Sequence, residues 1–153
     1  MHESVTVHIE APAERIWGLV SDVTKIGRYS PETFEAEWLE GATGPVVGAK
    51  FRGHVKRNGI GPVYWTTCTV RDCVPSRAFS FGVGPSAKPL SIWGYRLEPV
   101  GTGTDVTEFF DLTPVWWLRL YWALMGWARG KTNREDMRTT LERIKKEVEG
   151  SAD

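Results

Sequence analysis

The hydrophobic pattern of the chain changes period twice. Val5-Thr6-Val7-His8-Ile9 alternates apolar and polar positions with β-branched residues, the mark of a strand. Pro12, in Ala11-Pro12-Ala13-Glu14-Arg15, suits the first turn of a helix, and Ile16, Leu19, Val20 and Val23 then recur at helical spacing. A second short helix is predicted over Val23–Arg28, stopping before Pro31, which disfavours helical geometry at Ser30. From Glu32 to Leu112 the period is two. The predicted strands are Thr33–Leu39, Lys50–Arg57, Val63–Val74, Ala78–Val83, Ile92–Glu98 and Asp105–Leu112. Asn58-Gly59, Pro75-Ser76, Gly84-Pro85 and Gly101-Thr102-Gly103 supply the turns between them. After Pro114 the helical period returns. Met137, Leu141, Ile144 and Val148 make one apolar stripe, opposite Arg138, Glu142, Arg143, Lys145, Lys146 and Glu149. This helix is expected to begin near Val115, with Gly126 and Gly130 as places for a kink, and to end at Gly150.

Seven strands joined by short turns form an antiparallel meander, and such a sheet twists and curls. A long amphipathic helix laid across the concave side buries the inner face. A curled sheet and a straight helix leave space between them, and that space is the expected ligand site. The fold class is therefore α+β, a curved antiparallel sheet wrapped around a long C-terminal helix, with two short helices after the first strand, in one domain over residues 1–153.

Several segments carry a resemblance. They are Ile9-Glu10-Ala11-Pro12-Ala13-Glu14-Arg15-Ile16-Trp17, Ser30-Pro31-Glu32, Gly48-Ala49-Lys50-Phe51-Arg52-Gly53, Trp93-Gly94-Tyr95-Arg96-Leu97-Glu98-Pro99 and Gly103-Thr104-Asp105-Val106-Thr107-Glu108. With the element order, they make the chain resemble the Bet v 1-like helix-grip superfamily (SRPBCC), which includes START lipid-transfer domains. Within it the chain looks like the bacterial polyketide cyclase/dehydrase group. The resemblance covers Val5 to Glu149 and implies the helix-grip fold. It implies either ring closure or dehydration of polyketides, or plain binding of hydrophobic molecules and lipids. No catalytic residue set is carried over from it.

Composition narrows the function classes. The 153 residues hold 19 basic and 19 acidic side chains, a formal net charge of zero, which lacks the electrostatic footprint of a nucleic-acid binder. Eight Trp, six Phe and four Tyr argue against disorder and for an aromatic core or an aromatic-lined cavity. Cys68 and Cys73 are too few for a disulfide framework, and their odd separation along one strand predicts opposite faces. No signal peptide is visible at the N-terminus, and Val115–Ala128 is too short and interrupted to span a bilayer, so a cytoplasmic protein is expected.

Strand alternation selects the inward side chains. They are Phe51, Gly53 and Val55; Phe79, Phe81 and Val83; Trp93, Tyr95 and Leu97; and Val106, Glu108, Phe110 and Leu112. On Val63–Val74 two sets compete, Trp65/Thr67/Thr69/Arg71 and Tyr64/Thr66/Cys68/Val70. The candidate ligand-binding residues are Phe51, Phe79, Phe81, Trp93, Tyr95, Glu108, Phe110, Trp116, Met137 and Leu141. Glu108 is the most interesting acid, because an apolar cavity raises a carboxyl pKa and suits it to general acid–base work or to anchoring a polar ligand group. Arg57, continuing the inward set of its strand, is a candidate partner or carboxylate clamp, against the reading of a hairpin-end surface charge. Tyr95 can hydrogen-bond a ligand carbonyl or be a satisfied core hydroxyl. The catalytic candidates are thus Glu108, Arg57 and Tyr95. Ser30-Pro31-Glu32 reads as a turn with Ser30 capping. His2, His8 and His54 lack metal-ligand spacing, and no phosphate or dinucleotide fingerprint occurs, so neither a metal nor a cofactor is expected.

Val115–Trp127 holds four of the eight Trp and is apolar nearly all round. It reads as a lid and core segment, a homodimer contact, or a peripheral membrane contact beside the basic Arg129, Lys131, Arg134 and Arg138. Three functions remain open. They are binding or transport of a lipid, fatty acyl or polyketide-like ligand; a polyketide cyclase or dehydratase; and a partner- or membrane-docking module.

Overall fold

The computed structural model describes residues 2–56, 63–113 and 116–150; the side chains of 116–119 and 121–132 lie outside the description. Strand β1 (His2–Ile9) leads into helix α1 (Ala13–Val20) and a 3₁₀ helix over Val23–Arg28. Strands β2 (Thr33–Trp38), β3 (Lys50–Lys56), β4 (Val63–Val74), β5 (Ala78–Val83), β6 (Ser91–Val100) and β7 (Gly103–Leu112) follow, then helix α2 (Trp116–Gly150). Pro12 sits one residue earlier than expected, at the N-cap, where its carbonyl accepts from the amides of Arg15 and Ile16. Asp22 caps the 3₁₀ helix by accepting from the Thr24 amide and hydroxyl.

The seven strands form one antiparallel sheet in the order β1-β7-β6-β5-β4-β3-β2. Its long meander from β2 to β7 returns to β1, so the first strand completes the sheet beside the last. Bulges between Thr33 and Glu35 and between Val70 and Asp72 add curvature. The concave face packs on the C-terminal half of α2, where Asn133, Met137, Thr140, Leu141, Ile144 and Val148 are buried. Asn133, Met137, Leu141, Ile144 and Val148 recur at spacings of three and four, the helical stripe, and each fully buried apolar side chain there contributes about 1.5–3 kcal/mol. α1 and the 3₁₀ helix add Ile16, Leu19, Val20 and Val23 to the same core. The helix runs unbroken through Gly126 and Gly130.

The β4 ambiguity resolves in favour of Tyr64, Thr66, Cys68 and Val70 as the inward set. Trp65, of the other set, is outward and 41% exposed. It stacks on His54 at 4.1 Å, with Phe34 against the other side of His54 at 4.4 Å and the Arg52 guanidinium over Trp65 at 4.1 Å. The opposite-face expectation for the cysteines also fails. The bulge after Val70 inserts a residue, so Cys73 lies opposite inward-facing Phe79 and packs against the core beside the face of Cys68. Both thiols are free, and Cys73 donates to the Pro45 carbonyl.

Polar contacts fasten β1 to α2. Glu149 accepts from the Glu10 amide at 2.9 Å and from Lys145 at 2.7 Å, and Lys145 also donates to the His8 carbonyl. Arg134 pairs with Glu3 at 2.8 Å. His8 lies between Glu10 and Asp105, at 2.5 and 2.8 Å. Its hydrogen bonds to Glu10 and then Asp105 raise its pKa above the ordinary 6.5. A raised histidine binds its proton more tightly in the folded state. The stabilisation is therefore complete below pH 6.5 and is lost as the pH climbs through the raised value. The imidazole of His8 is expected to titrate above 6.5 by NMR. His8→Gln is expected to remove its share of the fall in melting temperature between about pH 6 and about pH 8. Unchanged curves would show that this cluster is not coupled to folding.

Candidate ligand cavity

A cavity of about 140 Å³ lies between the concave sheet and α2. Strands β3 to β6 present alternate side chains to it. β3 supplies Phe51, Gly53 and Val55, β5 supplies Phe81 and Val83, and β6 supplies Trp93 and Tyr95. β7 supplies Glu108, and α2 supplies Asp136, Met137 and Thr140. Thr66 and Cys68 complete the wall, while Ser30, Pro31, Glu32, Thr33 and Tyr64 line its partly exposed side. The rings hold one another in place: Phe51 meets Phe81 edge-on at 5.1 Å, Trp38 meets Phe51 at 5.8 Å, and Trp93 lies against Phe110 at 4.6 Å.

The sequence candidates divide. Phe51, Phe81, Trp93, Tyr95, Glu108 and Met137 line the cavity. Phe79, Phe110 and Leu141 are buried in the packed core and are not among the cavity-lining residues. Alternation finds the inward face, but it cannot tell a side chain in the wall from one in the layer packed tightly on α1 and α2. Arg57 and the side chain of Trp116 lie outside the described residues. Ser30 caps its turn as expected, accepting from the amides of Glu32 and Thr33.

Glu108 is 6% exposed. It faces Val5 across one strand pairing and Tyr95 across the other. The Tyr95 hydroxyl donates to Glu108 Oε1 at 3.5 Å, while Oε2 is buried with no hydrogen-bond partner among the described residues. Burial holds the carboxyl well above its usual range; the Tyr95 hydrogen bond opposes this, and the charge of Asp136 adds to it. Burial likewise pushes up the phenols of Tyr95 and Tyr29, with the Glu108 charge reinforcing both, and lifts the Cys68 thiol to about 12. Glu108 therefore favours its neutral form, able to donate a hydrogen bond or exchange a proton.

Sequence reasoning missed Tyr29, Asp136 and Thr140. Asp136 and Thr140 adjoin Met137 at helical spacing, and the Thr140 hydroxyl donates to the Asp136 carbonyl at 2.8 Å, so that pair was recoverable. Tyr29, 1% exposed, follows the 3₁₀ helix and belongs to no periodic pattern. The described residues hold no group of three or more His, Cys, Asp or Glu placed for a metal ion.

A curved seven-stranded antiparallel sheet closed by a long C-terminal helix, with short helices after the first strand, defines the helix-grip class. The chain belongs to the polyketide cyclase/dehydrase and lipid transport family, whose profile matches residues 2–149. Among solved structures, it is similar to the di-domain ARO/CYC BexL from the BE-7585A biosynthetic pathway. That match has a TM-score of 0.72 and 19% identity, over 94% of this chain and 46% of that one. TTHA0849 from Thermus thermophilus matches with a TM-score of 0.72 and 16% identity over the full length of both chains (100% of each). The Polyketide_cyc-like protein Cgl2372 from Corynebacterium glutamicum matches with a TM-score of 0.62 and 26% identity, over 99% and 95% of the two chains. Comparison with curated proteins finds no match. Among the described residues no helix is long and apolar enough to cross a membrane.

A carboxyl raised by burial binds its proton more tightly in the folded chain than in the unfolded one. Its ionisation therefore erodes stability as the pH rises above about 4.5 towards the raised value. Glu108→Gln keeps the shape without the ionisation. Its melting temperature is expected to gain on the wild type steadily from about pH 5 to about pH 9. Parallel curves would show that Glu108 ionises freely in the native state.

Proposed function

We propose that the protein binds or carries a hydrophobic small molecule, a lipid, fatty acyl or polyketide-like compound, in the cavity beneath α2. The observation that carries this reading is the set of Phe51, Phe81, Trp93 and Tyr95 rings around a partly open volume with a buried polar end at Glu108. About 140 Å³ accommodates one ring or a short chain segment. The rest of a larger ligand would leave past Ser30–Thr33 and Tyr64, which are partly exposed. The family's description, which joins cyclases and dehydrases with lipid transport, supports the reading at this coarse level.

A second reading, a polyketide cyclase or dehydratase, is favoured by the Glu108–Tyr95 contact. A neutral buried carboxyl can lend a proton to a ligand oxygen, and its conjugate base can take one back. The ARO/CYC name of one structural relative points the same way. Fold alone does not decide between binding and turnover.

Native mass spectrometry of the purified protein, before and after organic extraction, tests the first reading. A small hydrophobic species that leaves on extraction and rebinds on return is the expected outcome. A chain that binds no hydrophobic compound under any condition would contradict it. For the second reading, Glu108→Gln is expected to lower turnover of an authentic polyketide substrate by about a hundredfold or more, the usual contribution of a positioned acid–base group. Unchanged turnover would remove Glu108 from the mechanism.

A further inference from the structure

The end of β1 and the last turn of α2 meet at a cluster of charges, in which Glu10, Asp105 and Glu149 surround His8 and Lys145. Both ring nitrogens of His8 face a carboxylate oxygen. Nε2 lies 2.5 Å from Glu10 Oε1, and Nδ1 lies 2.8 Å from Asp105 Oδ1. A neutral imidazole donates from one nitrogen only, so this arrangement is complete only when the ring is doubly protonated. The ring also has a prepared seat. A Cβ at Gly103 would fall 2.8 Å from His8 Nε2 and 2.6 Å from the Ile9 carbonyl oxygen, so a glycine at the start of β7 leaves the ring its place. The two residues whose side chains form this pairing also hold α2 through their backbones. The Glu10 amide donates to Glu149 Oε1 at 2.9 Å, and the His8 carbonyl accepts from Lys145 Nζ at 3.2 Å. Lys145 Nζ donates to the same Glu149 oxygen at 2.7 Å, which closes the clasp.

We propose that His8 is a proton-dependent latch that fastens the C-terminal turn of α2 to the end of β1. Protonated, it ties Glu10 to Asp105, while the other Glu10 oxygen accepts from the Thr102 hydroxyl at 2.8 Å. Deprotonated, it turns a lone pair towards a carboxylate and leaves Glu10, Asp105 and Glu149 with Lys145 as their cation. Glu98 pairs with Asp105 in the β6–β7 register and adds a further carboxylate on that side. On the α1 side, Glu14, Arg15, Lys25 and Glu147 line a separate groove beside Val148. The hydrogen bonds to Glu10 and then Asp105 raise the His8 pKa above 6.5. The latched state binds the proton more tightly, so the latch is complete below pH 6.5 and is lost as the pH climbs through the raised value. Met137 and Thr140, about three turns before Glu149 on the same helix, line the cavity, so the latch sets how firmly one end of the cavity's cover is held.

Hydrogen exchange of the full chain by NMR, expressed as protection factors between about pH 5.5 and about pH 8.5, reads the latch. A helix end exchanges by local opening, so its amides report this junction rather than global unfolding. The amides of Glu10 and of Lys146, Glu147, Val148 and Glu149 are expected to lose about three- to fivefold in protection as the pH rises, the scale of an exposed ion pair. The midpoint of that loss is expected to coincide with the titration of the His8 ring. His8→Gln is expected to show the lower protection throughout, with no step. Glu149→Ala, which removes the clasp and leaves both His8 pairings in place, is expected to lose the step while His8 still titrates above 6.5. Flat protection at the helix end of the wild type while His8 titrates would overturn the proposal, and so would a step that survives in either variant. Should His8→Gln fail to fold, the wild type and Glu149→Ala decide alone.

Discussion

Strand alternation commits a carboxyl group to the inside of this protein. On β7, Val106, Glu108 and Phe110 share one face, and β7 is fixed in register on both sides, by β1 and by β6. A one-residue slip would free Glu108 and expel two apolar side chains, so the sheet holds all three in. Ionised, such a carboxyl would oppose folding. Protonated, it is a tolerable polar group that lacks a partner on one oxygen among the described residues. The buried acid at one end of the cavity follows from that constraint.

The cavity itself comes from a mismatch of shapes. Two bulges bend the sheet, while α2 stays one helix whose described side chains bury the stripe from Asn133 to Val148 against it. Where the helix and the concave face meet closely, Leu141, Ile144 and Val148 pack with Val5, Ile9 and Val106 as solid core. Where they diverge, near Met137 and Thr140, space remains. The outer face has its own packing. Gly94 leaves a hollow in which the Phe109 ring lies, with the Arg96 guanidinium over it at 4.3 Å, so that an outward phenylalanine is only 7% exposed.

Much of the fold was legible because two periods carry it. Val63–Val74 and Ala78–Val83 match their predicted limits, β3 begins at Lys50 as predicted, and β1, β2, β6 and β7 differ by one to three residues at their ends, where alternation gives way to turn chemistry. Glu108 was legible as inward because its neighbours two residues away are apolar. What alternation could not show was a bulge. One extra residue after Val70 moved Cys73 to the inner face, and no local signal in Arg71-Asp72 marks it. On β4 the inward set stayed open because Trp65, a large ring, argues for one face and Cys68 and Val70 for the other; on the outer face Trp65 packs on His54 and Arg52. Phe79, Phe110 and Leu141 are buried on the inner face but outside the cavity lining, since depth behind a cavity wall is set by tertiary packing. Tyr29 was invisible because no repeat spans it.

The protonation state of Glu108 is the claim on which the site's chemistry rests. Infrared difference spectroscopy between the wild type and Glu108→Gln, at neutral pH in light and heavy water, reads it directly. The account requires a protonated-carboxyl C=O band that is lost in the variant and shifts on deuteration. A difference spectrum containing only carboxylate bands would show Glu108 ionised and would contradict it.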